Sequence, residues 1–505
     1  MSLQKITVAM CFIATLVPVR AVAQQYVRPM SPVVALTHVR IIDGTGAPAR
    51  DDQMLIIEGG RIVQVGAAAS VQVPAGATVL DLRGRTVIPG LVGMHDHLFY
   101  QLEPTSGTVA VAAQRNFARL YLASGVTSIR TAGTINFNED ATLRRDIEAG
   151  KEPGPRIHLT GPYLNAETPE PDPERIAQYV DDYANRGATS FKAYATLRSS
   201  ELQAAIAAAH RRGLTITGHL CAVGFREAAA LGIDNLEHGV AVDTEFFTQK
   251  RPDECPNQWD ALGALIQTDI GDAEMHRTID VLVRRGVAVT STLAVFESYA
   301  MDALDVDRRV TAILSPRLRD PFEQARDRRK DRKLAGQSWW AKVLKKEMAF
   351  ERAFVSAGGV LLAGADPTGW GAVLAGYGDQ RGLELLVSAG FTPEQAIAIA
   401  TANGAAFLKD RSVGRIAEGL SADVVVLRGD ASHDIAAARD VELVFKGGIA
   451  YDPEELVASV AGTLGERTIG EWVAWPLTML SAVAALVLAI RLLLRRRRLP
   501  LPATA

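Results

Sequence analysis

Between residues 91 and 365, short β-branched and apolar runs alternate with Ala-rich stretches of helical period, a rhythm that leaves few architectures open. The predicted strands are Leu91–His97, Thr127–Thr131, Arg156–Thr160, Ser190–Tyr194, Thr215–His219, Asn235–His238, Val287–Thr292 and Val360–Ala365. Helical patterns fall between them at Gln114–Ala123, Pro173–Arg186, Ser200–Arg211 and Gly224–Leu231. Strands and helices alternating over roughly 300 residues have the size of a (β/α)8 barrel. An open doubly wound sheet is the other option, but no G-x-G-x-x-G follows the first strand. Asp302–Phe350 reads as a charged helical insertion and Glu245–Ile270 as an irregular loop.

Both flanks of this region are strand-like. Ala35–Ile42, Gln53–Glu58, Arg61–Val65, Thr78–Asp81 and Arg85–Ile88 precede it, and Asp423–Leu427 and Val441–Phe445, running on to Tyr451, follow it. Neither flank buries enough apolar surface alone. The expectation is one small β-sandwich built from 32–90 and 411–452, beside a barrel over 91–410.

The chain ends carry signals of another kind. Residues 1–23 combine Lys5, the apolar run Ile6–Val17 and Ala21-Val22-Ala23, the pattern of a cleaved signal peptide. Trp472–Leu494 is nearly all apolar and is followed by Arg495–Arg498, which reads as a transmembrane helix with a basic cytoplasmic tail over 495–505. With 453–471 as linker, the expected placement is a membrane-anchored chain whose catalytic portion lies outside the cytoplasm. A net charge of −3 argues against a nucleic-acid partner. Once Cys11 leaves with the signal, Cys221 and Cys255 are too few for a disulfide framework and are read as free thiols.

Polar residues mark the strand ends, where active groups of such barrels sit. His95 and His97, two apart on the first strand, share a face. Lys192 ends the fourth strand, His219 the fifth, His238 the sixth, and Asp366 follows the eighth. Each has a plain structural reading: a polar pocket, a solvated lysine, a satisfied core histidine, a turn aspartate. Their coincidence at one rim is what points to a site.

The segments PGLVGMHDH, RGATSFKAYA, ITGHL, NLEHG and AGADP, then AGFTPEQAIAIATANGAAFL and GRIAEGLSADVVVL, resemble the amidohydrolase superfamily over about 32–452. The resemblance is to its branch of imidazolonepropionase-like enzymes and metal-dependent prolidases and dipeptidases. It implies two divalent metal ions, Zn²⁺ first, with Mn²⁺, Co²⁺ and Fe²⁺ suited to the same donors. His95, His97 and Asp366 would hold the more buried metal and His219 and His238 the more exposed one, with Lys192 bridging both as a carbamate. The family commonly has acidic residues where this chain has Gly93 and Thr189, so support behind the ligands is expected to differ.

The implied chemistry is amide hydrolysis by a metal-bridging hydroxide, with Asp366 as general base. Tyr194, on the face of Lys192, is either an oxyanion donor or a packed aromatic. Arg130, ending the second strand, either pairs a substrate carboxylate or makes a structural ion pair. Trp339-Trp340 and the loop Glu245–Ile270 are candidates for pocket walls. The expected substrates are short peptides or N-acyl amino acids, as for a dipeptidase, prolidase or carboxypeptidase. A cyclic amide, or a membrane-tethered scaffold or sensor without turnover, is the alternative; homo-oligomer formation is left open.

Overall fold

The computed structural model describes residues 24–104, 107–300, 306–331 and 337–466. Each of the eight predicted central strands is present, at Leu91–Asp96, Val126–Thr131, Arg156–His158, Ser190–Ala193, Thr215–Gly218, Asn235–Glu237, Ala288–Ser291 and Leu361–Ala363. They form two parallel arcs, one of the first three strands and one of the last five. A bridge between Thr160 and Ser190 links the arcs at one seam. At the other seam the Asp366 N–H donates to the His95 carbonyl at 2.8 Å. The first strand is buried along its whole length, which is why its sequence begins as an unbroken apolar run rather than an alternation.

The helices between strands start where their sequences say they should. Pro173 opens Pro173–Asn185, and the Asp172 side chain accepts from Arg175 N, filling one of the orphan donors of the first turn. Ser199–Arg211 starts with Glu201 bonded back to Arg198, and its buried Leu202, Ala205, Ile206 and Ala209 form one stripe. The charged insertion folds as the helices Arg308–Ile313, Pro316–Asp331 and Gln337–Ser356.

The two flanks join in a single sheet of eight strands. Val424–Arg428 pairs antiparallel with Arg85–Pro89 on one side and with Val441–Lys446 on the other. The strands of both flanks are thus hydrogen-bonded into one sheet. It changes partner along Val33–Ile41, which runs beside Thr78–Asp81 first and Arg85–Pro89 later. His38, at φ 56°, sits at the register shift between Leu36 and Val39. Leu36, Leu55, Val87, Val424 and Phe445 from both flanks share its core.

Three expectations need correction. The stretch read as a linker carries the helix Pro453–Ala458, and Asn116 Nδ2 donates to Thr463 Oγ1 at 2.7 Å, so residues to 466 pack on the body. The loop Glu245–Ile270 contains the helix Gln258–Gln267, with Ala261, Leu262 and Leu265 buried. The membrane-anchored placement is withdrawn: among the described residues no helix is long and apolar enough to cross a membrane. The segments read as signal peptide and membrane helix, 1–23 and 472–494, lie outside the described residues.

Candidate metal centre

The C-terminal ends of the central strands bring all six predicted ligand residues together. His95, His97, Lys192, His238 and Asp366 are buried, and His219 is half-buried at the rim. Two of them stand on left-handed backbone, His238 at φ 64° and Asp366 at φ 44°. Non-glycine residues in this region are strained, and such strain persists only where surrounding contacts impose it. For Asp366 these include its N–H bond to His95 O, and for His238 its N–H bond to Thr290 O at 3.0 Å.

The donor atoms converge. His95, His238 and Asp366 each offer one ligand atom within 4.8 Å of the other two. His97 Nε2 lies 3.3 Å from Asp366 Oδ1, and the His219 and His238 ring centroids are 4.5 Å apart. Lys192 Nζ is 3.1 Å from His95 Nε2. His97 Nδ1 is buried without a hydrogen-bond partner among the described residues.

Electrostatics favour the ligating forms of these groups. Burial drives His97 down to about 4 and His219 to about 3, so both are neutral imidazoles near pH 7. Burial lowers the Lys192 amine to about 8 despite the nearby Glu237 and Asp366 carboxylates. Burial opposes ionisation of Asp366, but His95, the hydrogen bond from His97 and His238 outweigh it and hold the carboxyl well below its usual range. Neutral imidazoles, an ionised carboxylate and an amine able to shed its proton make a donor set that fits divalent cations.

Behind the ligands lies a polar network that the sequence reading missed. Glu237, fully buried, accepts from Arg130 Nη2 at 2.6 Å and bonds His95 Nδ1 at 2.7 Å. That contact leaves His95 Nε2 to face Lys192 and Asp366. Arg130 also donates to Met94 O and, at 2.9 Å, to Asn235 Oδ1, which takes further bonds from Thr217 and Thr290. Only 1% exposed, Arg130 forms a buried ion pair with Glu237 inside the strands. The signal available in sequence was Asn235-x-Glu237, two polar residues sharing a face of a strand otherwise expected to be apolar.

At the rim, the half-buried Tyr194 ring stands 4.9 Å from the His219 ring and 5.0 Å from Tyr163. Phe296 lies 6.3 Å from His238 and stacks on Trp340, which also stacks on Tyr299, so Trp340 belongs to an aromatic wall that starts at a ligand. Cys221 and Cys255, read as free, form a disulfide. The segment after residue 243 folds back over 221–226, with Thr244 Oγ1 bonded to Cys221 O and Arg226 Nε to Glu245, and this return path brings Cys255 alongside. With the cysteines 34 positions apart in sequence, spacing alone held no sign of it.

A model of the amidohydrolase family matches residues 86–450. The chain belongs to the amidohydrolase family. By family it is a hydrolase of carbon–nitrogen bonds. A solved Xaa-Pro dipeptidase with bound methionine in its active site is similar in fold, at 19% identity over 83% of this amidohydrolase and 100% of that chain, with a TM-score of 0.62. Bottromycin amidohydrolase is similar at 19% identity, covering 88% of this chain and 94% of its own, with a TM-score of 0.65. Among curated proteins, adenine deaminase 2 of Bradyrhizobium sp. (strain ORS 278) is 26% identical over 229 residues, which span 42% of this chain and 37% of that protein.

Proposed function

We propose that this amidohydrolase cleaves the amide bond of short peptides or N-acyl amino acids, with His95, His97, Lys192, His219, His238 and Asp366 holding two divalent metal ions. The observation that carries this reading is the convergence of His95, His238 and Asp366 with the buried Lys192 amine 3.1 Å from His95 Nε2. Zn²⁺ suits the mixture of imidazole and carboxylate donors. An ammonium cannot ligate a cation, so Lys192 acts as its carbamate: the free amine adds to carbon dioxide, loses a proton and becomes an anion with two oxygens.

When bound, the metal pair supplies an activated water and polarises the scissile carbonyl. Asp366 accepts the proton of that water and passes it to the departing amine. The carboxylate is ionised, and Thr368 Oγ1 donates to its Oδ1 at 2.7 Å. Tyr194, whose ring stands 4.9 Å from the His219 ring, donates to the carbonyl oxygen as charge develops there. The wall of Phe296, Tyr299 and Trp340 favours a substrate with an apolar group beside His238. The arc-to-arc bonds at both seams support closure of the eight strands into a (β/α)8 barrel, over 91–410, beside the sheet of 32–90 and 411–452.

The adenine deaminase match favours a second reading, hydrolytic loss of an exocyclic amino group from a ring carbon. Both readings are tested together by supplying Zn²⁺ and assaying a dipeptide library, N-acyl amino acids, cyclic amides and aminopurines. Turnover confined to the first two groups, fastest for apolar side chains, is the expected result. Turnover confined to cyclic amides or aminopurines would overturn the peptide reading.

A further inference from the structure

Gly93 lies two residues before His95, at a position where the family resemblance leads one to expect an acid. A Cβ added to Gly93 would stand 1.8 Å from Asp96 Oδ2 and 3.2 Å from Asp379 Oδ1. The space in front of Gly93 is therefore filled by two carboxyl groups, one from between the paired histidines and one from the helix Tyr377–Ser388. The glycine is required by space, not by backbone conformation, since its φ is not positive.

Asp96 is fully buried, and its two oxygens have different surroundings. Oδ1 accepts from the Ala365 N–H at 3.3 Å, one residue before Asp366. Oδ2 has no hydrogen-bond partner among the described residues and points into the space shared with Asp379. Asp379 is itself fixed, its Oδ2 accepting from Gly376 N at 3.0 Å. The residue pair His95-Asp96 thus grips the end of the eighth strand twice, through Asp366 N–H to His95 O at 2.8 Å and through Ala365 N–H to the Asp96 side chain. Asp366, on strained left-handed backbone, needs such a grip to keep one orientation.

We propose that Asp96 is the positioning residue for Asp366: standing in the space that Gly93 leaves, and backed by Asp379, it sets where the Asp366 carboxylate points. The acid expected at position 93 has in effect moved three residues along the chain, and glycine at 93 is the condition for that move. The inference rests on the metal-centre reading of Asp366. It also assigns a role to Asp96, the residue between the two histidines, which the ligand pattern passes over.

The test compares wild type with Asp96→Ala, Asp96→Asn, Gly93→Asp and the double variant Gly93→Asp/Asp96→Ala. Zn²⁺ affinity and bound-metal content are measured beside the thermal midpoint of the metal-free form. Asp96→Ala is expected to bind Zn²⁺ about 10–100-fold more weakly, the range for losing a group that orients a ligand. Asp96→Asn keeps an oxygen for the Ala365 N–H and should stay within a few fold of wild type. Gly93→Asp alone should lose metal because its side chain meets Asp96, whereas the double variant should regain it. This reversal of sign is what a merely structural role would not give. If Asp96→Ala fails to fold, recovery of fold and metal in the double variant supports the inference, and a double variant that stays unfolded overturns it. Wild-type affinity in Asp96→Ala, or equal harm from Gly93→Asp with and without Asp96, also overturns it. Metal content of wild type in the same series separates the two levels: absence of metal there would sink the metal-centre reading itself.

Discussion

Lys192→Ala should lower kcat/KM by about 10³-fold or more, with activity partly restored by millimolar formate or acetate. The amine is buried to 1% exposure and lies 3.1 Å from His95 Nε2. A protonated amine there would face imidazoles and repel cations, but burial brings its pKa down to about 8, so the free base is accessible near neutral pH. The free base is the form that takes up carbon dioxide. If Lys192 serves as a carbamate ligand, its removal would take an anionic ligand from the site, a loss of about 4 kcal/mol or more in stabilised charge, which corresponds to the stated factor. A small carboxylate fits the vacated space and carries the same two oxygens, hence the rescue. Steady-state kinetics with and without added carboxylate measure both effects. Retention of activity within tenfold of wild type would remove Lys192 from the site.

Glu237→Gln should be the most damaging substitution among residues that would touch neither metal nor substrate. Glu237 is fully buried, and although burial opposes its ionisation, Arg130 and then His95 hold its pKa well below the usual range. Replacing the carboxylate by an amide leaves the Arg130 guanidinium buried without a counter-charge, and breaking such a pair costs about 3–5 kcal/mol. It also weakens the bond that orients His95, with a further loss of about 10–100-fold in metal affinity. Urea unfolding of the metal-free protein reads the first effect, and competition with a chelating dye reads the second. An unfolding free energy within about 0.5 kcal/mol of wild type, the range of ordinary surface substitutions, would contradict this.

Sequence pattern carried the architecture further than it carried the site's support. Leu91–Asp96 is buried on both faces, so the apolar run that opens it, Leu91–Met94, is visible without any knowledge of partners. The ligand residues were legible because each sits at a strand end, a position the strand reading itself supplies. Glu237 and Arg130 were not, since their meaning depends on a contact across 107 residues of chain. Asp96 stood between two histidines and drew no notice, because the space it fills is defined by the absence of a side chain at Gly93. The hairpin of Phe99–Leu102 with Val109–Ala112, directly after the first strand, was not among the predicted strands. For Arg130 the sequence left two readings, substrate carboxylate or structural ion pair, because its partner Glu237 lies on another strand.

The central claim is that the six strand-end residues hold a pair of divalent cations. Its most direct test is the metal content of the purified full-length protein, by inductively coupled plasma mass spectrometry, for wild type and for Asp366→Ala. The account predicts about two equivalents of metal per folded wild-type chain, Zn²⁺ foremost, and fewer in the variant. A wild-type protein that is folded, stays metal-free after incubation with Zn²⁺, Mn²⁺, Co²⁺ and Fe²⁺, and hydrolyses amides all the same would contradict it.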